Sequence, residues 1–145
     1  MRPRYNRFSA RKEARWSPEF PMIDVSLISV VVVDDDESLR ESLEGLLKSL
    51  GHAVEVFASA ESFLSSGALA ETDLLILDIH MPGMTGPELQ RELKSLRPEL
   101  PIIFITAHSD DGVISRVMAE GAVSCLFKPF SEDSLLNAIL KALPG

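Results

Sequence analysis

The sequence has a single cysteine and no long apolar run. Cys125 alone permits no internal disulfide and no metal site built from paired cysteines, which is typical of proteins from a reducing compartment. The longest apolar stretches, such as 30–33, 74–77 and 102–105, are far shorter than the roughly 20 residues of a membrane-spanning helix. We therefore expect a water-soluble cytoplasmic protein that does not act at a membrane.

Positive charge is scarce outside the beginning of the chain. The 145 residues include 14 Lys and Arg against 22 Asp and Glu, a net charge of −8. Residues 1–21 alone carry +4, which leaves −12 for residues 22–145. Nucleic acid backbones are bound by clustered Lys and Arg, so we do not expect the acidic part of the chain to bind nucleic acid directly.

The beginning of the chain also differs from the rest in its apolar pattern. Residues 1–26 are basic, include Pro3, Pro18 and Pro21, and show no sustained apolar period. This composition predicts a disordered extension, to which we assign no function. Residues 27–145 are long enough to bury one core and too short for two ordinary domains, so the sequence predicts one domain after the extension.

Apolar runs rich in β-branched residues alternate with stretches of helical spacing from residue 27 onward, which indicates strand–helix pairs. The predicted strands are Ser29–Val33, Ala53–Phe57, Leu74–Asp78, Ile102–Thr106 and Val123–Phe127. The first predicted helix ends at about Leu50, and the last begins after Ser131. The three helices between them cover Glu61–Ser65, Pro87–Leu96 and Asp111–Glu120. Continuous apolar strands are buried on both faces, so we predict an α/β fold, a doubly wound parallel sheet with helices on both sides.

The last predicted helix is defined by its cap and its apolar stripe. Ser131 is the predicted N-cap, because its hydroxyl can accept a backbone N–H of the first turn. Leucines and isoleucines at helical spacing form the stripe that we expect to be buried. They are Leu135, Leu136, Ile139, Leu140 and Leu143.

Polar residues follow the carboxyl ends of four predicted strands: Asp34 and Asp35, Asp78, Thr106, and Lys128. In parallel sheets the ligand site lies beyond these ends, so we expect the five side chains to share one crevice. Carboxylates about 4 Å apart repel by about 4 kcal/mol at an effective dielectric near 20, and a divalent cation is the natural compensation. Oxygen ligands favour Mg²⁺, which usually keeps phosphate oxygens among its ligands.

A magnesium ion with a phosphoryl ligand makes nucleophilic chemistry accessible to a carboxylate at this crevice. One of the aspartates could form an acyl phosphate, while Lys128 neutralises charge and the Thr106 hydroxyl donates a hydrogen bond. The residue types alone leave open which aspartate is the nucleophile.

Four stretches resemble the receiver domains of two-component response regulators. They are VVVDD at 31–35, LDIHMPGMTG at 77–86, ITA at 105–107 and FKPF at 127–130. Their order and spacing are those of the family, and the resemblance covers about residues 27–143. It implies a flavodoxin-like fold with strand order 2-1-3-4-5, and a phosphorylation-dependent signalling switch from a bacterial cytoplasm.

The resemblance also implies roles for single residues. Asp78 would be the phosphoacceptor; Asp34, Asp35 and Asp78 would hold Mg²⁺ directly or through water, together with the backbone carbonyl of His80. Thr106 and Lys128 would contact the phosphoryl oxygens. The implied donor is a sensor histidine kinase or phosphotransfer protein, the target is an unidentified protein, and a homodimer is left open. The implied chemistry is limited to magnesium-dependent self-phosphorylation and autodephosphorylation.

Three positions depart from the family or carry an open question. Cys125 stands where most receivers have an aromatic residue, so we predict altered coupling between Thr106 and the outer surface. His80 and His108 stand two residues beyond Asp78 and Thr106, where they would flank the path of an attacking water. They are predicted either to tune the lifetime of the phosphoryl group or to be exposed loop residues without a special role.

Two other functions stay open from the sequence. One is a magnesium-dependent phosphohydrolase that works through an aspartyl phosphate, although His80 occupies the position where such an enzyme has a second aspartate. The other is an interaction module independent of phosphorylation, against which the intact acidic set argues. Because the sequence ends directly after the fifth helix, we expect a single-domain response regulator that passes a signal to a separate protein or acts as an intermediate in a phosphorelay. A fragment of a longer regulator is the alternative.

Overall fold

The computed structural model describes residues 27–143; the predicted extension 1–26 and the last two residues lie outside this part. Five parallel strands form one sheet in the order β2-β1-β3-β4-β5, which confirms the predicted order and the doubly wound α/β fold. The strands are β1 Ser29–Val33, β2 Ala53–Phe57, β3 Leu74–Asp78, β4 Ile102–Thr106 and β5 Ser124–Phe127.

Five α-helices connect and follow the strands. They are α1 Glu37–Ser49, α2 Ala60–Ser66, α3 Gly86–Leu96, α4 Asp111–Ala119 and α5 Glu132–Ala142. Each begins at a side-chain cap; Ser131 caps α5 by accepting the backbone N–H of Ser134, as predicted. Within residues 27–143 no helix has the length and apolar character that a membrane crossing would require.

The sheet separates two apolar layers. One layer packs α1 and α5 against side chains such as Val32, Ile76 and Ile103. The other packs α2, α3 and α4 against the opposite face of the same strands, around Phe63 and Phe104. Because β1 lies between β2 and β3, the strand order reverses beside β1, and the crevice beyond β1 and β3 is the expected ligand position for such a sheet.

Three details of the predicted elements were wrong. The fifth strand begins at Ser124 instead of Val123, and a short 3₁₀ helix, Ala68–Glu71, precedes β3 where none was predicted. Leu140 was placed in the buried stripe of α5, yet it is 68% exposed. The buried residues of α5 are Leu135, Ala138 and Ile139, and at 100° per residue Leu140 lies off the centre of this stripe, toward solvent.

Candidate functional site

Three aspartates meet at the carboxyl ends of β1 and β3. Asp34 and Asp35 directly follow β1, and Asp78 is the last residue of β3. A carboxylate oxygen of each lies within 4.8 Å of those of the other two. Asp34 and Asp78 are buried, with 0% and 4% of their surface exposed, whereas Asp35 is exposed. The structure therefore brings together the three predicted acidic residues.

Backbone contacts hold Asp34 in place. Its N–H donates to the Phe57 carbonyl of β2 at 3.1 Å, and its own carbonyl accepts from the Arg40 guanidinium at 2.8 Å. Its Oδ1 accepts the Asp36 N–H at 2.8 Å, while Asp36 caps α1 by accepting from Leu39. These contacts fix the Asp34 carboxylate, and they place Asp36 at the start of α1.

Lys128 reaches the aspartates from the end of β5. Its Nζ lies 2.8 Å from Oδ2 of Asp34 and 3.6 Å from Oδ2 of Asp78. Burial lowers the pKa of Lys128, but the hydrogen bond with Asp34 and the charges of Asp78 and Asp34 outweigh it and raise the pKa above its usual value. The backbone N–H of Lys128 donates to the Thr106 carbonyl at 2.8 Å, and the Lys128–Pro129 peptide bond is cis.

The ionisation of Asp78 is strongly perturbed. Burial first, and then the charge of Asp34, raise its pKa to about 7; Lys128 and the His80 backbone N–H, a hydrogen-bond donor to this carboxylate, act in the opposite direction. A carboxylate at such a site is poorly solvated, which is the environment found at many reactive positions. A bound cation would restore its ionised form.

Thr106 lies next to Asp78 on the neighbouring strand. Asp78 pairs with Ile105, so Thr106 is one residue further along β4, fully buried. Its Oγ1 accepts the His108 N–H at 3.0 Å and lies 3.2 Å from the His108 carbonyl. The hydroxyl is thus held by the loop after β4.

The two histidines near the site touch each other. The rings of His80 and His108 pack edge to face with centroids 4.7 Å apart, and both residues are exposed. The contact joins the loop after β3 to the loop after β4. Sequence reasoning placed both residues near the site but gave no signal that their rings would meet.

Gly86 is a residue of the site that sequence reasoning missed. A Cβ there would lie 2.2 Å from the backbone carbonyl of Asp78 and 3.0 Å from the Phe104 ring. Only glycine lets the start of α3 come this close to the end of β3. The sequence shows a glycine in a loop, which could not reveal the tertiary approach.

The carboxylates suit a divalent cation bound through oxygen. Oδ2 of Asp34 is buried and is paired with the Lys128 ammonium at 2.8 Å. Three carboxylates nevertheless share this one cation within a small volume, and carboxylates this close repel one another. Asp34, Asp35 and Asp78 therefore fit Mg²⁺, which binds one or two carboxylates and otherwise keeps water or phosphate.

Cys125 lies on β5, away from the carboxylates. It pairs with Phe104 of β4 and packs, partly buried, against the layer that contains Val113 and Ile114 of α4. Burial raises the pKa of its thiol, so the thiolate is disfavoured. The small side chain leaves β5 without an aromatic residue at this position.

Sequence comparisons identify related proteins. The sequence model of the response regulator receiver domain matches residues 30–140. The response regulator protein TodT of Pseudomonas putida is 39% identical over 141 residues, 90% of this chain and 62% of that protein. Nodulation protein W of Bradyrhizobium diazoefficiens is 44% identical over 113 residues, 78% of this chain and 50% of that protein. The chain thus spans about half to three fifths of these relatives.

Solved structures have the same fold. The response regulator StyR superposes with a TM-score of 0.74 at 46% identity, covering 81% of this chain and 59% of that one. The chemotaxis protein CheY4 of Vibrio cholerae also gives 0.74, at 30% identity, with 81% of this chain and 99% of that one covered. These neighbours agree with the parallel sheet order observed here.

Proposed function

The chain belongs to the response regulator receiver domain family, and from this we propose that it is a phosphorylation-dependent switch of a two-component system with Asp78 as its phosphoacceptor. The observation that carries the proposal is the buried Asp78 carboxylate, flanked by two further aspartates and by the Lys128 ammonium. The related protein TodT is a response regulator.

Phosphoryl transfer would take place at an oxygen of Asp78. That oxygen forms a bond to phosphorus as the bond from phosphorus to the donor nitrogen, or to the acyl oxygen of a small phosphodonor, breaks. Lys128, already 3.6 Å from Asp78, would balance charge on the phosphoryl oxygens, and the Thr106 hydroxyl would donate to one of them. These roles follow from charge stabilisation in phosphoryl transfer.

Magnesium would be held by Asp34, Asp35 and Asp78 and by the backbone carbonyl of His80. When bound, it neutralises carboxylate charge and polarises phosphoryl oxygens. The assignment is supported by the close approach of the three carboxylates, whose oxygens lie within 4.8 Å of one another. The rigid backbone contacts of Asp34 would keep its carboxylate in place.

The partners follow from the same chemistry. A sensor histidine kinase or a phosphotransfer protein would donate the phosphoryl group, and contact with a protein target would pass the signal on. The added charge would act on Thr106 and on the surface of α4, β5 and α5. With Cys125 in place of an aromatic residue, this coupling would differ from that of most relatives.

Labelling with acetyl phosphate tests the proposal. We expect magnesium-dependent incorporation of about one phosphoryl group per chain, lost in Asp78→Asn and kept in Asp133→Asn, a control in the exposed first turn of α5. Intact-mass spectrometry measures both. Turnover of small phosphate esters far beyond one equivalent would favour a phosphohydrolase, and folded protein without any labelling would favour a phosphorylation-independent interaction module.

A further inference from the structure

A carboxylate of α2 holds the loop that follows β3. Glu61, in the first turn of α2, accepts the backbone N–H of Met84 through Oε2 at 2.8 Å, across 23 residues of sequence. The hydrogen bond from Met84 is the main cause that lowers the pKa of Glu61, so the side chain is ionised at neutral pH. Hydrogen bonds to an ionised acceptor are stronger than neutral ones.

Gly83, next to Met84, leaves room for the Glu61 carboxylate. Gly83 has φ of 75°, and a Cβ there would lie 2.7 Å from the same Oε2 of Glu61. Glycine therefore serves two needs at once, a left-handed backbone and room for the carboxylate. The loop backbone at Gly83 and Met84, which we call the Glu61 turn, lies directly against the Glu61 side chain.

The same loop carries the carbonyl of His80. At its start, the Ile79 N–H donates to Ile105 of β4 at 3.0 Å, and at its end the Gly86 N–H donates to the Ile79 carbonyl at 3.0 Å. Thr85 and Glu88 form a capping box at the start of α3. These bonds come from β4, α3 and the loop itself, whereas the bond at Met84 comes from α2.

We propose that Glu61 is a positioning residue for magnesium binding: by holding the Glu61 turn against α2, it limits the positions open to the loop that carries the His80 carbonyl. The inference rests on the proposed function, in which that carbonyl is a ligand. A loop released from α2 would sample positions in which the carbonyl is turned away, and magnesium binding would then have to restore its order. The effect is modest because Glu61 is exposed to water.

Magnesium titration of three variants tests this role. Isothermal titration calorimetry is done on the full chain without a phosphodonor. We expect Glu61→Ala to weaken magnesium binding by about three- to tenfold, at or below the lower end of the range for groups that orient metal ligands. Glu61→Gln keeps a carbonyl oxygen for Met84 and should stay within about twofold of wild type. Glu55→Ala removes the same charge from the exposed edge strand β2 and should change nothing.

Hydrogen exchange supplies a second measurement. The Met84 amide should exchange faster in Glu61→Ala than in wild type and Glu61→Gln, while circular dichroism shows equal folding. Unchanged magnesium affinity in Glu61→Ala would overturn the inference, as would equal losses in Glu61→Ala and Glu61→Gln. If wild-type protein binds magnesium but takes up no phosphoryl group, Asp78 is not the phosphoacceptor. The comparison of magnesium affinity between wild type and the Glu61 variants would still be valid.

Discussion

The apolar interior of β1 and β3 and the aspartates that end them, Asp34 and Asp78, are similarly buried but opposite in chemistry. Val30–Val33 of β1 are at most 3% exposed, and the next residue, Asp34, is 0% exposed. Leu74–Leu77 of β3 are fully buried and are followed by Asp78 at 4%. Burial stabilises the apolar side chains by about 25 cal/mol per Å², whereas it disfavours the carboxylates. The strands therefore stabilise the fold, and their ends hold charge that a ligand can relieve.

The largest effect is expected from the interior. Ile76→Ala should lower the free energy of unfolding by roughly 2–5 kcal/mol, because it opens a cavity in a fully buried position. Ile76→Val is the matched control and should cost about 0.5–1.5 kcal/mol. Urea unfolding measures the free energy of unfolding of both variants. If Ile76→Ala loses less than Ile76→Val, the interior of the sheet contributes less to stability than its burial indicates.

A smaller loss is expected when the cation at the carboxyl end is removed. Lys128→Met leaves the Asp34 and Asp78 carboxylates without their ammonium partner, which should cost about 1–3 kcal/mol in the absence of magnesium. Lys141→Met, in the last turn of α5, should change stability by less than about 0.5 kcal/mol. If the two variants unfold at the same urea concentration, Lys128 does not balance the buried charge.

Removing the Asp78 carboxylate should raise the free energy of unfolding instead of lowering it. The pKa of Asp78 is raised to about 7, so between about pH 4 and pH 7 the folded protein binds a proton that the unfolded chain does not. Without magnesium, the free energy of unfolding due to Asp78 therefore falls as pH rises through this window and is level above it. Asp78→Asn lacks this decline, so its free energy of unfolding should exceed that of wild type by about 1 kcal/mol or more at pH 7.5.

The pH dependence is measured as a difference. Unfolding of wild type and Asp78→Asn is followed in EDTA from pH 5 to pH 8, so that contributions from the other carboxyl groups cancel. A difference that does not grow with pH would contradict the raised pKa of Asp78. Added magnesium should reduce the difference in unfolding free energy between Asp78→Asn and wild type, because it favours the ionised carboxylate of the wild-type protein.

The smallest effect concerns the loops above the carboxyl end. The touching rings of His80 and His108 should limit the approach of water to a phosphoryl group on Asp78. We expect the double variant His80→Ala, His108→Ala to lose the label about two- to fivefold faster, which is less than about 1 kcal/mol in the barrier. Decay of the labelled protein after removal of the phosphodonor gives the rate, and an unchanged half-life would indicate exposed loop residues without a special role.

The sequence predicted the interior better than the loops. The bounds of β1 to β4 were correct to the residue, because apolar β-branched runs end abruptly at Asp34, Asp78 and similar polar residues. The 3₁₀ helix Ala68–Glu71 was missed since four residues are too few to show a period. Leu140 was misplaced because helical spacing alone cannot tell which edge of a stripe faces solvent.

The candidate site was predicted to the extent that it depends on strand ends. Asp34, Asp35, Asp78 and Lys128 meet because parallel strands bring their carboxyl ends to one edge. Gly86 and Glu61 could not be identified in this way, since their importance lies in distances between loops and helices that are far apart in sequence. The roles assigned to all of these residues stay predictions until they are tested.

The charged residues of the site come from the first, third and fifth strands, so the site is complete only when the whole sheet has folded. Asp34 comes from the first strand made, Asp78 from the middle one and Lys128 from the end of the last, and chains are synthesised from the amino end. A growing or truncated chain that has not yet placed β5 lacks the ammonium beside its aspartates. In such an incomplete molecule the buried carboxylates lack the cation that balances their charge, so the charge at the site is compensated only after the last strand has joined the sheet.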